Sequence, residues 1–237
     1  LQRYQMSNNP YKISVIMATY NSAETLEDSI NSVLSQTYNN LEFLILDDSS
    51  NDKTYEILNQ YKTLDSRIKI FTNNRNLGLT KSLNLLLKEA TGYFIARQDA
   101  DDKSHPERLQ TQINHMIKYN LDFSTTRALR METSKKIPGL SHYLPSKMTV
   151  KYKNPFIHGS LMIKKSTIND IGNYDEAFYF AQDFKLFSDL LEANRRYKII
   201  NKPLYSLNTK DNISTKFKDE QKHYADCVRK KIKPVNS

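Results

Sequence analysis

Four short apolar runs separated by amphipathic stretches constrain this chain more than any other feature. Residues 13–18 (ISVIMA), 41–46 (LEFLIL), 68–72 and 93–96 read as strands. Between them, Leu26, Ile30, Val33 and Leu34 recur at helical spacing, a second helix runs through Ile57 and Leu58, and residues 79–90 form a third, closed by Thr91 and Gly92. Asn21 with Glu24 three positions on reads as a capping-box start for the first helix. Ser104 with Glu107 reads likewise as the cap of a fourth, with Pro106 in its first turn. Such alternation implies an α/β fold, a doubly wound, mostly parallel sheet flanked by helices. Right-handed crossovers bring the carboxyl ends of the strands to one edge, where such sheets bind ligands. Tyr20 and Asn21, Asp47 and Asp48, and residues 99–102 each follow a strand end, so they are expected to converge there.

The stretch ARQDADDKSHPERL, residues 96–109, puts Asp99, Asp101 and Asp102 inside four positions. Such a cluster repels itself, and by itself it can be a solvated turn, a metal clamp or an acid/base pair. The chain has only five glycines, and none follows the first strand. A glycine-rich dinucleotide turn and a P-loop are therefore excluded. Phosphates have to be held in another way. Asp99 and Asp101, one residue apart, can hold a hard divalent cation through oxygen, and Mg2+ or Mn2+ would bridge a diphosphate while neutralising the cluster.

The formal net charge is +9, from 35 basic and 26 acidic residues. Anionic partners are open on this basis: nucleic acid, an anionic membrane face or a phosphorylated substrate. The excess grows late, at Lys216, Lys218, Lys222, Arg229, Lys230, Lys231 and Lys233, which suits either a membrane surface or a solvated lysine-rich helix. No zinc-finger or aromatic-basic motif accompanies it, so specific nucleic-acid binding is not expected. A signalling receiver domain would be shorter, with its acidic pair after the first strand rather than the second. Cys227 is the only cysteine, which excludes an internal disulfide and a cysteine zinc cage and suits a reducing, cytoplasmic setting. No apolar run approaches a membrane span. Residues 1–5, ahead of Met6, fit nothing downstream and are read as a cloning remnant.

The second half is less regular. Residues 160–163 read as a strand, 168–171 as a short helix stopped by Gly172, and 197–200 and 204–207 as strands. Residues 183–193 form an amphipathic helix with Phe184, Phe187, Leu190 and Leu191 inward. The expected organisation is one domain over 6–208 and a basic, helical tail over 209–237.

ISVIMATYN, LEFLILDDSSNDKT, NLGLTKSLNLLLKEATGYFIARQDADDKSHPERL, NPFIHGSLMIKKS and FAQDFKLFSDLLEA occur in this order. Together they resemble the inverting family 2 glycosyltransferases of the GT-A fold, of the bacterial cell-surface polysaccharide type, over roughly residues 12–208. The resemblance implies a UDP-sugar or related nucleotide-sugar donor, a glycan or lipid-linked glycan acceptor, and Mn2+ or Mg2+ as cofactor. It puts Tyr20 against the base, Asp48 on the base N–H, Asp99 near the ribose and the metal, and Asp101 on the metal. Asp47 could equally order its loop, and Asp102 could support the metal or cap the turn. Arg75 is open to a nucleotide contact or a plain surface role, as is Lys81. Asp183 matches the acidic motif that supplies the catalytic base, although its position also suits a helix cap. Gln182 stands where family members often carry a glutamate. His158 and Gly159 match the start of a strand on the acceptor side, where the histidine is otherwise a satisfied structural residue. Many members carry a late histidine where this chain has Asn208. The expected setting is the cytoplasm, peripheral at the inner face of the membrane. A catalytically silent nucleotide-sugar binder is the alternative, against which stand Asp99, Asp101 and Asp183 together.

Overall fold

The computed structural model describes residues 10–139, 149–150, 152–210 and 217–234. Residues 1–5 and Lys216 lie outside them. Four parallel strands form the first half of the sheet: β1 (Ile13–Thr19), β2 (Leu41–Asp47), β3 (Ile68–Thr72) and β4 (Phe94–Arg97), in spatial order β3-β2-β1-β4. The register pairs Ile13 with both Leu41 and Phe94, Thr19 with Asp47, and Asp47 with Thr72, so β1, β2 and β3 finish level at one edge while β4 ends opposite Ile16. Helices α1 (Leu26–Leu34), α2 (Thr54–Leu64) and α3 (Leu79–Glu89) connect them.

Side chains alternate along β1. Val15 and Met17 pack with Ile30, Val33 and Leu58 on one face, whereas Ile16 packs with Leu83 and Leu86 of α3 on the other. Both faces are covered, which is why these strands read as continuous apolar runs rather than alternating ones.

The sheet continues beyond β4 with β8 (Met162–Lys164), antiparallel to it, then β6 (Phe123–Arg130), β9 (Tyr197–Leu207) and the two-residue β5 (Lys103–Ser104). β7 (Lys136–Ile137) pairs with β6 off this path. Among the described residues, α4 (Arg108–Lys118) is followed by α5 (Lys165–Asp170), α6 (Gln182–Glu192) and α7 (Lys218–Lys230). Phe184, Phe187, Leu190 and Leu191 of α6 are all buried, as their spacing predicts.

Some local expectations need correcting. Asn21 does not cap α1, which starts after Thr25. Asn21 instead takes a left-handed backbone (φ 48°), and its side-chain oxygen accepts from the Asn51 amide at 2.8 Å, stitching the first two loops together. Ser104 belongs to β5 rather than to a helix cap, and its hydroxyl donates to Gln98 Oε1 at 2.6 Å. The two expected strands at 197–207 are one, with register shifts opposite residues 126–128 that absorb the irregularity. β6 has no counterpart among the predicted strands. Its sequence FSTTRALR hides a central strand whose first four residues, Phe123 with Ser124, Thr125 and Thr126, are buried.

Candidate active site

Three loops meet at the carboxyl edge of β1, β2 and β4. The Asp48 amide donates to Thr19 O (2.9 Å) and the Gln98 amide to Ile16 O (3.1 Å), so each later loop is tied to β1. Asp47 holds its own loop by accepting from the Ser50 amide at 3.2 Å and from the Ser50 hydroxyl. Asp48 is buried and holds the next loop. It accepts from Asn73 Nδ2 (2.7 Å), the Leu77 amide (2.9 Å) and the Gly78 amide (2.8 Å). A carboxylate offers about four acceptor sites, so Asp48 has capacity for roughly one more donor. Tyr20 is exposed beside this loop pair; Arg75 is exposed between the Asp48 donors Asn73 and Leu77, and Lys81 is exposed on α3 just after Gly78.

The acidic cluster is built on a buried scaffold. Gln98 is fully buried; its amide nitrogen donates to Asp102 O at 2.9 Å and its oxygen accepts from Ser104, which closes the turn. Ser29 of α1 donates to Asp99 O at 2.7 Å. Beneath the turn lie two buried guanidinium groups. Arg97 donates from Nη2 to Asp99 Oδ1 and from Nη1 to Gln98 O at 2.6 Å. Arg108 donates to Arg97 O (2.9 Å) and Gly159 O (3.0 Å), and stacks 5.4 Å from the Tyr205 ring centroid. Arg108 Nε and Nη2 have no partner among the described residues. Burial pulls its pKa down to about 10. For Arg97, burial opposes the charge, but facing Asp99 and Tyr174 it is held above its ordinary value.

The three carboxylates are not equivalent. Asp99 is partly exposed and ion-paired. Asp102 is buried and accepts from the Asn208 amide at 2.7 Å; burial and the charges of Asp99 and Asp101 push it well up. Asn208 thus meets the cluster through its backbone, while its side-chain oxygen accepts from the Lys210 amide at 3.0 Å. Burial, and then the charge of Asp99, push Asp101 up to about 6. Such a carboxylate gains from a cation. No group of three acids with metal-holding geometry occurs among the described residues. Magnesium and manganese need only one or two carboxylates when substrate phosphates complete the shell. Asp101 and Asp99 are the carboxylates that would supply them.

Asp183 lies in the first turn of α6, behind Ala181, whose left-handed backbone (φ 51°) sets the start of the helix. It is not the cap that its position allowed. Burial raises its pKa; the Phe184 amide and Asn154, whose Nδ2 donates to Asp183 Oδ2 at 2.7 Å, oppose this, and the charge of Asp99 adds to it. Asp183 thus feels the charge of the acidic cluster. Gln182 is the residue beside it, partly exposed. His158 Nε2 meets Tyr174 Oη at 2.8 Å, and burial, with Arg97 nearby, pushes its pKa well down. His158 therefore packs behind the cluster as a satisfied residue.

The family model for Glycosyl transferase family 2 matches residues 14–186. The chain belongs to this family. It is 38% identical over 181 residues to the putative glycosyltransferase EpsE of Bacillus subtilis, covering 71% of this chain and 62% of that protein. A second relative, the UDP-Glc:alpha-D-GlcNAc-diphosphoundecaprenol beta-1,3-glucosyltransferase WfgD of Escherichia coli, is 44% identical over 116 residues, 48% of this chain and 44% of its own length. The chain thus spans less than two thirds of either. Among solved structures, the mannosyltransferase PcManGT of Pyrobaculum calidifontis in complex with GDP-Man and Mn2+ superposes with a TM-score of 0.76 at 17% identity, covering 95% of this chain and 65% of that one. The fold is the GT-A fold that the resemblance implied.

In this family 2 chain, residues missed from the sequence do much of the positioning: Arg97, Arg108, Tyr174, Tyr205, Asn154 and Gln98. One signal was legible. Arg97 ends an otherwise apolar strand, FIAR, directly before the acids, and a charge buried in a strand needs a partner.

Proposed function

We propose that this chain transfers a sugar from a UDP-sugar to an acceptor hydroxyl with inversion, in bacterial surface glycan synthesis. The observation that carries the reading is Asp183: a carboxylate at a helix start, oriented by Asn154 and near enough to Asp99 to feel its charge. A raised pKa suits a general base, which has to take a proton from a weakly acidic hydroxyl. On the donor side, the remaining acceptor capacity of Asp48 is available to a base N–H, exposed Tyr20 to the base face, and Asp99 to the ribose. Arg75, exposed on the loop after β3, is free to meet the nucleotide. Asp101, with Asp99, would hold Mn2+ or Mg2+, which supplies charge neutralisation for the leaving diphosphate. Arg97 holds Asp99 Oδ1 and so fixes the orientation of this carboxylate. Gln182 and His158 border the acceptor side, His158 from behind.

The name of the WfgD relative supports UDP-glucose as donor and a lipid-linked acceptor. Exposed Lys218, Lys222, Lys230 and Lys233 of the C-terminal segment offer a face to an anionic membrane, each contributing about 1 kcal/mol at such a surface. Among the described residues no helix is long and apolar enough to cross one. The test is Asp183→Asn with UDP-glucose and a GlcNAc-diphosphate-lipid acceptor, with NMR of the product. Turnover is expected to fall on the order of 10²–10⁴-fold with UDP binding kept, and the wild-type product is expected to be β-linked. Near-normal turnover in the variant, or an α-linked product, would overturn the mechanism.

A further inference from the structure

We propose that α7 sets the geometry of Asp183, with Gln221 and Arg229 as its positioning residues; the inference rests on the reading of Asp183 as the base. Three contacts from this one helix reach both sides of that carboxylate. On the helix that carries it, Gln221 Oε1 accepts from the Ala181 amide at 3.2 Å. Ala181 is the residue whose left-handed backbone turns the chain into α6, and its N–H is a donor that the helix itself leaves without a partner. One residue beyond Asp183, Phe184 is buried against Cys227 and Val228, with the Arg229 guanidinium 5.3 Å from its ring centroid.

On the opposite side stands the segment that carries Asn154, the donor to Asp183. Arg229 Nη2 donates to Tyr152 O at 2.9 Å, two residues before Asn154. Its Nη1 donates to Asp226 Oδ1 at 2.7 Å, one turn back on α7, which fixes the fork in place. A single guanidinium therefore spans the α6 side and the Asn154 side. Solvation or a membrane face accounts for the exposed lysines of α7. Neither accounts for a partly buried glutamine and a surface arginine that hydrogen-bond to the segments framing Asp183.

The experiment compares Gln221→Leu, Gln221→Glu and Arg229→Met with Asp183→Asn in the full chain, using UDP-glucose turnover, UDP binding and a crystal structure of Gln221→Leu. Gln221→Leu and Arg229→Met are expected to lower kcat on the order of 10–10²-fold, with the donor KM and UDP binding unchanged. Gln221→Glu keeps an acceptor for the Ala181 amide and is expected to restore the rate. The crystal structure decides without any substrate: Ala181 is expected to shift and the Asn154–Asp183 bond to open. Wild-type kcat with an unmoved Asp183, equal losses in Gln221→Leu and Gln221→Glu, or a loss confined to donor KM would overturn the proposal. If Arg229→Met fails to fold, the Gln221 pair still decides. Full turnover in Asp183→Asn would instead remove the base reading, whatever the α7 variants do.

Discussion

Gly159 and Asp99 share a space that admits no extra methyl group. A Cβ at Gly159 would lie 2.5 Å from Asp99 Oδ2, and closer still to the Tyr205 hydroxyl. Neither neighbour can step aside cheaply, because Asp99 is held by Arg97 and Tyr205 is buried. Gly159→Ala is therefore expected to cost about 1–3 kcal/mol of stability through overpacking and to weaken metal-dependent UDP binding, because Asp99 has to move. Thermal unfolding with and without UDP and Mn2+ checks both. An alanine variant that melts and binds as the wild type does would mean that the pocket is not set by this contact.

Removal of the cation has a distinct signature. Asp101 is the carboxylate of the cluster most in want of a positive partner, raised to about 6 by burial and Asp99. With Mn2+ present, UDP at a hundred times its Kd is expected to stabilise the fold by about 2.7 kcal/mol. Chelation with EDTA, or Asp101→Asn, is expected to abolish most of that gain. Equal stabilisation by UDP with and without the metal would contradict the assignment.

The rate is expected to depend on pH through Asp183. A general base works only when deprotonated, so kcat falls as pH drops through the base's pKa. Burial raises that pKa, so the acid limb should lie above the ordinary carboxylate range. Asn154 donates to the charged form and lowers the pKa. Asn154→Ala should thus move the acid limb to higher pH. Measurement of kcat from pH 5 to 9 at saturating metal checks the sign, and a shift to lower pH would count against Asp183 as the base.

Far from the site, Glu42 anchors the opposite edge of the sheet. It accepts from Ser14 Oγ (2.6 Å), the Thr91 amide (2.8 Å), Lys12 Nζ (2.9 Å) and Lys69 Nζ (3.1 Å). Burial alone would raise its pKa, but the hydrogen bonds from Ser14, Thr91 and Lys12 outweigh it and hold the carboxyl well below the usual range. A depressed folded-state pKa stabilises above the unfolded value, near 4.3, and that stability is lost as pH falls below it. Glu42→Gln is expected to cost about 2 kcal/mol at pH 7, on the scale of hydrogen bonds to a charged group. The difference from wild type in urea unfolding should stay level from pH 7 to 5 and narrow below about pH 4. A gap that widens on acidification would show that Glu42 is not the anchor.

The amino-acid sequence by itself determined the parallel half of the sheet. Strands β1, β2 and β4 are buried on both faces, and their apolar runs therefore contrast sharply with the polar loops at their ends. The same contrast exposed Asp48, Asp99 and Asp101 as strand-end acids, and helical spacing picked out the inward face of α6. Strand β6 escaped because a sheet interior also accepts small hydroxyl residues when neighbours bond them: Ser124 by Gln112, and the Thr126 amide by Ser160. What only the tertiary structure decided is how those acids are held. Arg108 reaches Gly159 across 51 positions, Arg229 reaches Tyr152 across 77, and Asn208 reaches Asp102 across 106. No local pattern encodes such pairs, because each is chosen by chain packing that brings two distant segments together, and burial then makes the polar partners obligatory.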